Sequence, residues 1–348
     1  MPLPLAPSGE GRASLLADEL AEGELESSEL EIRALQIDLL QHAQRLDRAL
    51  AEKIPEFSRS YLQQLLSLGA VSLNGLVVTK PAQRIKAGDR VRVEMRPTLQ
   101  SQAFRPESMS IDVVHEDENL LVINKPAGLV VHPAPGNWTG TLLNGLLARD
   151  ARASEVPRAG IVHRLDKDTS GLMVVARNRI TMDALVRMIA ARQVSRQYLA
   201  LAHGAWRGVK MQTVEEAIGR DPRNRLRMAV VDLARHAGKT AKTDIECLDS
   251  TDVGCWVRCT LHTGRTHQIR VHMASAGHPL VADALYGGAI AAGMTRQALH
   301  AFRLAFVHPL TKRAMEFRSP LPPDMRAALA EWGISYNDRQ PNERPVSS

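Results

Sequence analysis

The sequence predicts an α+β protein in which a small α/β domain precedes a larger domain built on a mixed, largely antiparallel sheet. Helix-like apolar spacing occurs between residues 46 and 68, and short alternating runs with turn residues follow up to residue 95. From residue 111 to about residue 329, strand-like and helix-like segments are mixed without regular βαβ alternation. The 348 residues, 44% of them hydrophobic and 24% charged, suffice for roughly two to three globular domains.

Charge divides the chain into an acidic start and a basic body. Residues 1–40 contain nine acidic and two basic residues, whereas the whole chain carries +6, so residues 41–348 carry +13. We expect residues 1–40 to form an acidic, flexible tail. The basic surplus behind it favours a polyanionic partner, of which nucleic acid is the commonest, with a membrane surface as the alternative.

Several classes of protein are disfavoured. The start of the chain lacks the basic residues and the apolar run of a secretory signal. The longest central stretch without charged residues, 127–148, contains Pro133, Pro135 and Gly136, which break it as a membrane helix. The three cysteines form no C-x-x-C pair, which argues against a disulfide framework and a thiolate zinc site. We therefore expect a cytoplasmic protein that does not enter a membrane.

Residues 41–104 are predicted to form two short helices, a small sheet and a polar link. The helices are indicated by apolar residues at helical spacing, with a break at Pro55 and an end at Gly69: Leu46, Leu50 and Ile54, then Leu62, Leu65 and Leu66. A hairpin that turns at Asn74-Gly75 and a strand over residues 90–95 complete the unit, and the polar, Pro-containing link begins at residue 97.

This unit is rich in basic residues. Residues 41–96 contain ten lysines and arginines against five acids, and these are available for phosphates: Arg45, Arg48, Arg59, Lys80, Arg84 and Lys86. Composition alone leaves nucleic-acid binding and a solvated face equally open. The segments 45–50, 58–60, 71–75 and 87–89 resemble the S4 RNA-binding domain. That resemblance implies that the second helix and its neighbouring loop contact structured RNA.

The larger domain is expected to span residues 105–335, with a polar tail at residues 336–348. Its richest segment, residues 160–176, is a polar run between two apolar, strand-like runs. A loop that a buried sheet fixes at both ends holds reactive groups rigidly. Its Asp166 and Asp168 fit magnesium ligands for phosphoryl transfer or turn residues that bond their own backbone, and the residues alone leave both open.

A second segment combines a strand with a helix. Cys255 and Cys259 fall on one face of the strand and are expected in the core. Thr266 is a suitable N-cap for a helix that ends at Gly277. Arg270 then lies in the first turn, where the helix dipole disfavours a cation unless an anion pairs with it. We therefore expect a carboxylate or phosphate beside Arg270.

No metal or cofactor site is predicted. His267 and His272 are five residues apart, about 140° around a helix, so they cannot ligate one ion together. The sequence contains neither a phosphate-binding loop nor a dinucleotide fingerprint.

Three motifs, in order along the chain, resemble the RluA family of pseudouridine synthases. They are residues 124–133, residues 163–171 and residues 263–272. The resemblance covers about residues 45–335 and includes the S4 module. It implies an S4 domain followed by an α+β pseudouridine synthase domain, with ribosomal RNA as the partner and no nucleotide cofactor. Residues 131–144 and 157–160 look most like the RluD-type branch, whose members modify the helix 69 stem-loop of large-subunit (23S) ribosomal RNA.

The resemblance also assigns roles to residues. Asp166 is implied to be the essential aspartate, as nucleophile or as base, and Arg270 the cation that keeps it ionised. Tyr198 is implied to stack on the uracil, and Arg164 to enter the space that a flipped base leaves. The reaction breaks the N1–C1′ bond, turns the uracil and joins C5 to C1′, so no cofactor is needed. Weaker candidates for RNA contact lie in a basic loop: Arg223 and Arg225, with Arg220 and Arg227.

Several functions are weighed against one another. The first is an S4-containing synthase that modifies ribosomal RNA, which we expect to act as a monomer. A synthase for other rRNA or tRNA uridines, a non-catalytic ribosome-assembly factor, and a magnesium-dependent nuclease using Asp166 and Asp168 are the alternatives. The joint presence of Asp166, Tyr198 and Arg270 favours the synthase.

Overall fold

The computed structural model describes residues 31–96, 103–134, 136–224 and 227–336. The chain divides between residues 101 and 102 into two compact units, each of which is described by itself. Most of the predicted acidic tail, nearly all of the C-terminal tail and the RNA-contact candidate Arg225 lie outside the described residues. Within the described ranges, no helix has the length and apolar character needed to cross a membrane.

The first unit packs two helices on a four-stranded sheet. The helices are α1 (Leu46–Lys53) and α2 (Arg59–Ser67), and the strands are β1 (Ile32–Gln36), β2 (Val71–Leu73), β3 (Leu76–Val77) and β4 (Arg90–Glu94). The strand order is β1-β4-β2-β3, with antiparallel pairings. Apolar residues from both helices and from β2 and β4 form one buried core. The predicted hairpin is present, and Asn74 and Gly75 both have the positive φ that its turn requires.

The boundaries of both units differ from those expected. Strand β1 lies within residues 1–40, which were assigned to the tail, yet it pairs with β4 from Ile32 opposite Glu94 to Gln36 opposite Arg90. It is a mostly exposed edge strand, so it lacks the alternation of buried residues by which strands are recognised. In the second unit, residues on both sides of the expected range 105–335 are packed. Ala103 is buried, and Tyr336 packs on Trp256 with ring centroids 5.5 Å apart.

The second unit is built on a nine-stranded sheet. Its strands are β5 (Val113–Glu116), β6 (Leu120–Lys125), β7 (Ser170–Ala176), β8 (Ser195–His203), β9 (Met211–Val214), β13 (Thr243–Ser250), β14 (Gly254–Leu261), β15 (Leu299–Val307) and β16 (Ala314–Arg318). Its helices are α3 (Leu142–Arg149), α4 (Arg179–Ala190), α5 (Gln268–Ser275) and α6 (Pro323–Glu331). A separate three-stranded sheet contains β10 (Ile218–Arg220), β11 (Met228–Val230) and β12 (Gly238–Lys239).

The large sheet follows the order β5-β6-β7-β15-β8-β14-β13-β9, with β16 paired to β15. Among the pairings of its described strands, β7 with β15 is parallel and the others are antiparallel. The predicted mixed, largely antiparallel sheet is thus confirmed. Cys255 and Cys259 lie in its main core, as expected from their shared face of β14.

Four central strands place one row of residues side by side. Gly171 of β7 lies opposite Ala301 of β15, Ala301 lies opposite Tyr198 of β8, and Tyr198 lies opposite Cys259 of β14. The polar loop that contains Asp166 ends one residue before β7 begins. The sheet order therefore sets this loop one strand away from β8, which carries Tyr198, with β15 between them.

The entry to the polar loop is tightly packed. Ile161, expected to begin a strand, makes a single bridge to Val175, and residues 157–160 form a short 3-10 turn instead. Gly160 has φ of 78°, and a Cβ on it would lie 1.8 Å from the carbonyl oxygen of Ala176. The chain thus passes so close to the backbone of β7 that residue 160 has no room for a side chain.

Gly160→Ala should therefore lower the free energy of unfolding by more than the positive φ of residue 160 alone would. Gly293 also has a positive φ, 67°, but a Cβ there would meet nothing within 4 Å, so Gly293→Ala is the matched control. We expect the control to lower the free energy of unfolding by about 1 to 2 kcal/mol and Gly160→Ala to lower it by about 3 kcal/mol or more. Urea titration of both variants measures the difference, and equal losses would contradict the close packing.

Candidate active site

A cavity of about 470 Å³ opens beside the central strands of the second unit. Its walls are the polar loop, the start of β8, and the turn between β14 and α5. The four residues to which the family resemblance assigns active-site roles all line it: Arg164, Asp166, Tyr198 and Arg270. They come from three separate segments of the chain, so it is the sheet topology that brings them together.

The Asp166 carboxylate is largely enclosed and faces a cation. Its side chain is 16% exposed, and its Oδ2 accepts a hydrogen bond from Nη1 of Arg270 at 3.2 Å. Its main-chain carbonyl accepts from the N–H of Thr169, which closes a turn in the loop. In the described part of the chain, no group of three or more His, Cys, Asp or Glu side chains is placed to hold a metal ion.

Arg270 is held by two carboxylates. Its Nε and Nη2 donate to the two carboxylate oxygens of Asp283 at 2.7 and 2.8 Å, while Nη1 reaches Asp166. Its guanidinium also lies 5.0 Å from the ring centroid of Tyr286. Burial disfavours the charge, but Asp283 and then Asp166 outweigh it and raise the pKa of Arg270. These partners explain how a cation occupies the first turn of α5.

Sequence reasoning missed Asp283. It is 1% exposed at its side chain, and it stands alone in its segment without a motif of its own. The position of Arg270 in the first turn of a helix predicts one anion beside it. Asp166 meets that expectation, so the sequence gives no reason to look for a second carboxylate. A second carboxylate becomes necessary only when Arg270 proves to be buried, which the sequence does not reveal.

The start of α5 differs from the prediction. His267, not Thr266, is the N-cap, and it adopts a left-handed conformation with φ of 56°. The side chain of Gln268 folds back over the turn that precedes the helix, because its Oε1 accepts from the hydroxyl of Thr263 at 2.7 Å and from the N–H of Arg265 at 3.0 Å. Thr266 thus fits the residue preference for N-caps, but the helix begins one residue later than it predicts, and the side chain of His267 makes no capping hydrogen bond.

The conformation of His267 directs one ring nitrogen toward Asp166. Its Nδ1 lies 2.7 Å from the hydroxyl of Tyr286, which already accepts the N–H of Met228 at 3.1 Å. We assign the hydroxyl proton of Tyr286 to the bond with Nδ1, which places the proton of a neutral His267 on Nε2. Nε2 lies 3.9 Å from Oδ1 of Asp166, which is too far for a hydrogen bond. One oxygen of Asp166 is paired and the other is left accessible.

Lys125 anchors the polar loop from below. It is 1% exposed, and its ammonium donates to the carbonyl oxygens of Pro126, Leu129 and Lys167 at 2.8 to 2.9 Å. Burial lowers its pKa to about 8, while the nearby charges of Asp168 and Asp166 oppose that shift. The residue belongs to a motif that the sequence analysis noted, but its anchoring role there was not recognised.

The floor of the cavity contains Tyr198, Arg196 and His163. Tyr198 is 5% exposed, and burial raises the pKa of its hydroxyl. Arg196 is 7% exposed and was missed by the sequence analysis. Nε2 of His163 accepts the N–H of Val174 at 3.1 Å, and its Nδ1 is buried without a partner. Arg164, by contrast, is exposed at the rim.

In the first unit, a buried carboxylate gathers two of the predicted RNA-contact residues. Asp47 is fully buried at its side chain and accepts from Arg45, Arg59 and Gln63. Desolvation opposes its charge, but these hydrogen bonds, that of Arg45 first, hold the pKa of Asp47 well below its usual range. Arg45 and Arg59 remain about half exposed, so each presents part of its guanidinium to solvent.

The other candidates are less strongly fixed. The backbone of Arg84 bridges to that of Arg45, and its side chain donates to the carbonyl of Ala43. Arg48 pairs with Glu52 one turn along α1, and Lys80 is exposed. In the second unit, Arg223 is exposed in the hairpin between β10 and β11. Its main-chain N–H donates a hydrogen bond to the carboxylate of Asp221. That carboxylate also pairs with Arg227 at 2.6 Å.

His163 should make the protein sensitive to acid. Burial, reinforced by the charge of Arg196, lowers the pKa of His163 to about 3, against about 6.5 in an unfolded chain. Between these values the unfolded state binds more protons, so stability falls as the pH drops through this window. His163→Gln retains a hydrogen-bond acceptor and should reduce the slope of unfolding free energy against pH by about 1 kcal/mol per unit between pH 6 and 5.

Urea titrations of both proteins at pH 6 and 5 measure this slope. Above pH 7.5, where the histidine is neutral in both states, the two proteins should respond to pH alike. His300, whose pKa burial lowers to about 4, keeps some acid sensitivity in the variant. Identical slopes at pH 5 to 6 would show that His163 is not neutral in the folded protein.

Comparison with known proteins identifies the family. A family model described as RNA pseudouridylate synthase matches residues 119–275, and the S4 domain model matches residues 44–91. The chain is 47% identical over 298 residues to the ribosomal large subunit pseudouridine synthase D of Neisseria meningitidis, which covers 82% of this chain and 78% of the relative. The protein of that name from Xylella fastidiosa is 46% identical over 312 residues, which cover 85% of this chain and 92% of the relative. The one from Escherichia coli is 42% identical over 298 residues, which cover 82% of this chain and 89% of the relative.

Solved structures agree with this result. The human RNA Pseudouridylate Synthase Domain Containing 1 is 28% identical, with a TM-score of 0.50, and covers 67% of this chain and 90% of its own. The human RNA Pseudouridylate Synthase Domain Containing 4 shares the fold. It is 23% identical, with a TM-score of 0.51, and the match covers 65% of this chain and 94% of its own. The matched residues include the loop of Asp166, the strand of Tyr198 and the helix of Arg270. The chain therefore belongs to the RNA pseudouridylate synthase family, enzymes that convert uridine in RNA to pseudouridine, and carries an S4 domain in front.

Proposed function

We propose that this enzyme forms pseudouridine in large-subunit ribosomal RNA. The observation that supports it most is the Asp166 carboxylate, paired with a buried arginine in a cavity whose volume suits a small ligand such as one nucleotide. The relatives from three bacteria are named for the ribosomal large subunit. The uridines of the helix 69 stem-loop are the proposed target, on the resemblance of residues 131–144 and 157–160 to the RluD-type branch.

Asp166 is the proposed catalytic residue. It attacks C1′ of the ribose as a nucleophile or removes the C2′ proton as a base, and either role needs an ionised carboxylate. Arg270 supplies that condition, because the charge beside Oδ2 favours the carboxylate form in an enclosed site. Because Asp283 fixes Arg270, the guanidinium keeps its place when Asp166 loses its charge during the reaction.

Tyr198 and Arg164 are proposed to handle the base. A uridine in folded RNA must leave its stack before its glycosidic bond becomes accessible, which costs a few kcal/mol. Arg164 is exposed at the rim and can fill the space that the base leaves. Tyr198 is enclosed deeper in the cavity, where its ring provides a surface on which the uracil stacks and turns.

The S4 unit is proposed to bind the RNA around the target. Its arginines Arg45 and Arg59 converge on Asp47, so their positions are set before RNA arrives. Arg48, Lys80 and Arg84 extend the basic surface. Arg223, on the hairpin of the second unit, is proposed as a further phosphate contact, and so is Arg225, which lies outside the described residues. We propose that the enzyme acts as a monomer in the cytoplasm, where its ribosomal substrate is made.

Asp166→Asn should abolish pseudouridine formation. The amide cannot act as nucleophile or base, and the expected loss in rate is at least about 10³-fold, with RNA affinity nearly intact. Chemical mapping of pseudouridines in large-subunit rRNA, from a deletion strain carrying the wild-type or variant gene, measures it. The same maps show which uridines are targets, including those outside helix 69 and those of tRNA.

Asp168→Asn is the matched control. Arg296 bonds the main-chain carbonyl of residue 168, not its carboxylate, so this variant should keep most activity. A nuclease that used both aspartates as magnesium ligands would lose its activity in either variant and in EDTA. Pseudouridine formed at an unchanged rate by Asp166→Asn would refute the proposed mechanism.

Asp47→Asn should weaken RNA binding although it makes the protein more positive. Charge alone predicts tighter binding to RNA. Loss of the buried carboxylate, however, frees Arg45 and Arg59 to adopt other rotamers, and we expect the Kd to rise by about 3- to 10-fold, with an unchanged rate at saturation. Filter binding at fixed salt measures the Kd. Asp38→Asn, which alters an exposed carboxylate paired with Lys53, is the control, and a lower Kd in Asp47→Asn would contradict the role of the cluster.

A further inference from the structure

Arg196 is a buried cation for which the described residues supply no counter-ion. It lies on β8, two residues before Tyr198 and on the same face of the strand, and it lines the cavity. It is 7% exposed, and its Nε is buried without a hydrogen-bond partner. Among the described residues, no carboxylate pairs with its guanidinium. A buried charge in this situation destabilises the folded protein, so its presence calls for a ligand that compensates it.

The surroundings of Arg196 do not supply that compensation. His163 beside it is neutral at physiological pH, because burial and the charge of Arg196 keep its pKa at about 3. Gly264 faces the guanidinium, and a Cβ there would lie 3.0 Å from Nη1, so the bare backbone leaves room for the arginine tip. Arg270 lines the same cavity and is equally buried, but it differs in its partners, since Asp166 and Asp283 both pair with it.

The position of Arg196 separates it from the phosphates of a bound RNA. Two other arginines, besides Arg164, line the cavity with exposed side chains, where a nucleic-acid backbone can reach them: Arg158 and Arg192. Arg196 is enclosed beside Tyr198, the residue proposed to stack on the uracil. Arg196 is therefore placed for the base.

The reaction generates a negative charge on the base. If Asp166 attacks C1′, a C–O bond forms, the N1–C1′ bond breaks, and its electron pair remains on N1. If Asp166 instead takes the C2′ proton, the C2′–H pair forms a C1′–C2′ double bond, and N1 again leaves with the electron pair. In both routes the carboxylate loses its charge and the uracil becomes an anion, with the charge shared among N1, O2 and O4.

The remaining steps restore neutrality. C5 bonds to C1′ and the carboxylate is released, or the proton returns to C2′ in the alternative route. The C5 proton is then lost and N1 gains one, so the product is an isomer of the substrate. Between these steps the negative charge of the pocket has moved from Asp166 to the uracil.

We propose that Arg196 is the counter-ion of the uracil anion while the base turns in the cavity. This inference rests on the proposed function. In the resting enzyme the guanidinium has no anionic partner, and it acquires one when the glycosidic bond breaks. An interaction that exists in the intermediate but not in the ground state accelerates the reaction instead of merely tightening binding. Arg196 thereby becomes a second catalytic residue, which acts on the leaving base as Asp166 acts on the ribose.

The test compares Arg196→Met with Arg196→Lys in the full-length enzyme. Single-turnover rates at saturating enzyme report on the chemical step, and the Kd for rRNA reports on binding. We expect Arg196→Met to reduce the rate by about 10²- to 10³-fold with little change in Kd, and Arg196→Lys to recover part of it. A raised Kd with an unchanged rate would instead identify a phosphate contact and overturn the proposal.

Thermal melting separates catalysis from structure. Since Arg196→Met removes a buried, unpaired charge, its Tm should equal or exceed that of the wild type. Arg258→Met is the matched control, because Arg258 lies on the adjacent strand β14, pairs with Glu246 and does not line the cavity. The control should lower the Tm and leave the single-turnover rate unchanged. A lower Tm in Arg196→Met, with a rate loss that Arg196→Lys does not relieve, would show a structural role.

RNA with 5-fluorouridine at the target provides an independent arm. Fluorine withdraws electrons and stabilises the uracil anion, so consumption of the fluorinated nucleoside should depend less on Arg196 than consumption of uridine does. An equal loss for both substrates would overturn the proposal. If the wild-type enzyme forms no pseudouridine in any RNA, the proposed function itself fails and the inference with it. Activity in the wild type with an undiminished rate in Arg196→Met would refute the inference alone.

Discussion

The ion pair between Asp166 and Arg270 is the interaction on which the active site depends. Burying either charge alone would cost several kcal/mol, and the pair is stable because Asp283 binds the opposite side of the guanidinium in a bidentate manner. Three groups thus share two negative charges and one positive charge. In the proposed reaction, Arg270 keeps a full counter-ion when Asp166 loses its charge, so the site does not need to reorganise.

The same arrangement distinguishes the two oxygens of Asp166. Oδ2 is bonded to Arg270, whereas Oδ1 faces His267 at 3.9 Å without a hydrogen bond. The tautomer of His267 is set through Tyr286 by the N–H of Met228, which belongs to β11 of the smaller sheet. A backbone group of the hairpin that also carries Arg223 therefore bears on which form of the His267 ring faces Oδ1. This hydrogen-bonded chain links the electrostatics of the site to the conformation of a basic surface hairpin.

The sequence was sufficient for the elements and motifs that depend on local patterns. Helical spacing, the Asn74-Gly75 turn and the core face of β14 all follow from neighbours in the chain, and each is present. The assignments of β1 to the tail and of Thr266 to the N-cap position of α5 differ from the structure. Strand β1 forms by pairing with β4, and the left-handed backbone of His267 sets the start of α5, and neither feature has a strong local signal.

The predicted site was incomplete for a related reason. Asp166, Tyr198 and Arg270 lie in recognisable motifs, but burial and the absence of a partner are properties of the fold. Asp283 becomes necessary only because Arg270 is enclosed, and Arg196 is unusual only because the described structure gives it no counter-ion. A sequence shows which groups are charged, and it does not show which charges are compensated.

The arginines of this protein accordingly have three different environments. Arg45 and Arg59 share a buried carboxylate while remaining half exposed, which positions them for a partner outside the protein. Arg270 is buried and compensated on both sides, which fixes the charge of Asp166. Arg196 is buried and receives no counter-ion from the described residues, which suits the proposed pairing with the charge that develops on the base. The net charge of the chain counts these residues equally, but only their partners and burial separate binding, positioning and catalysis.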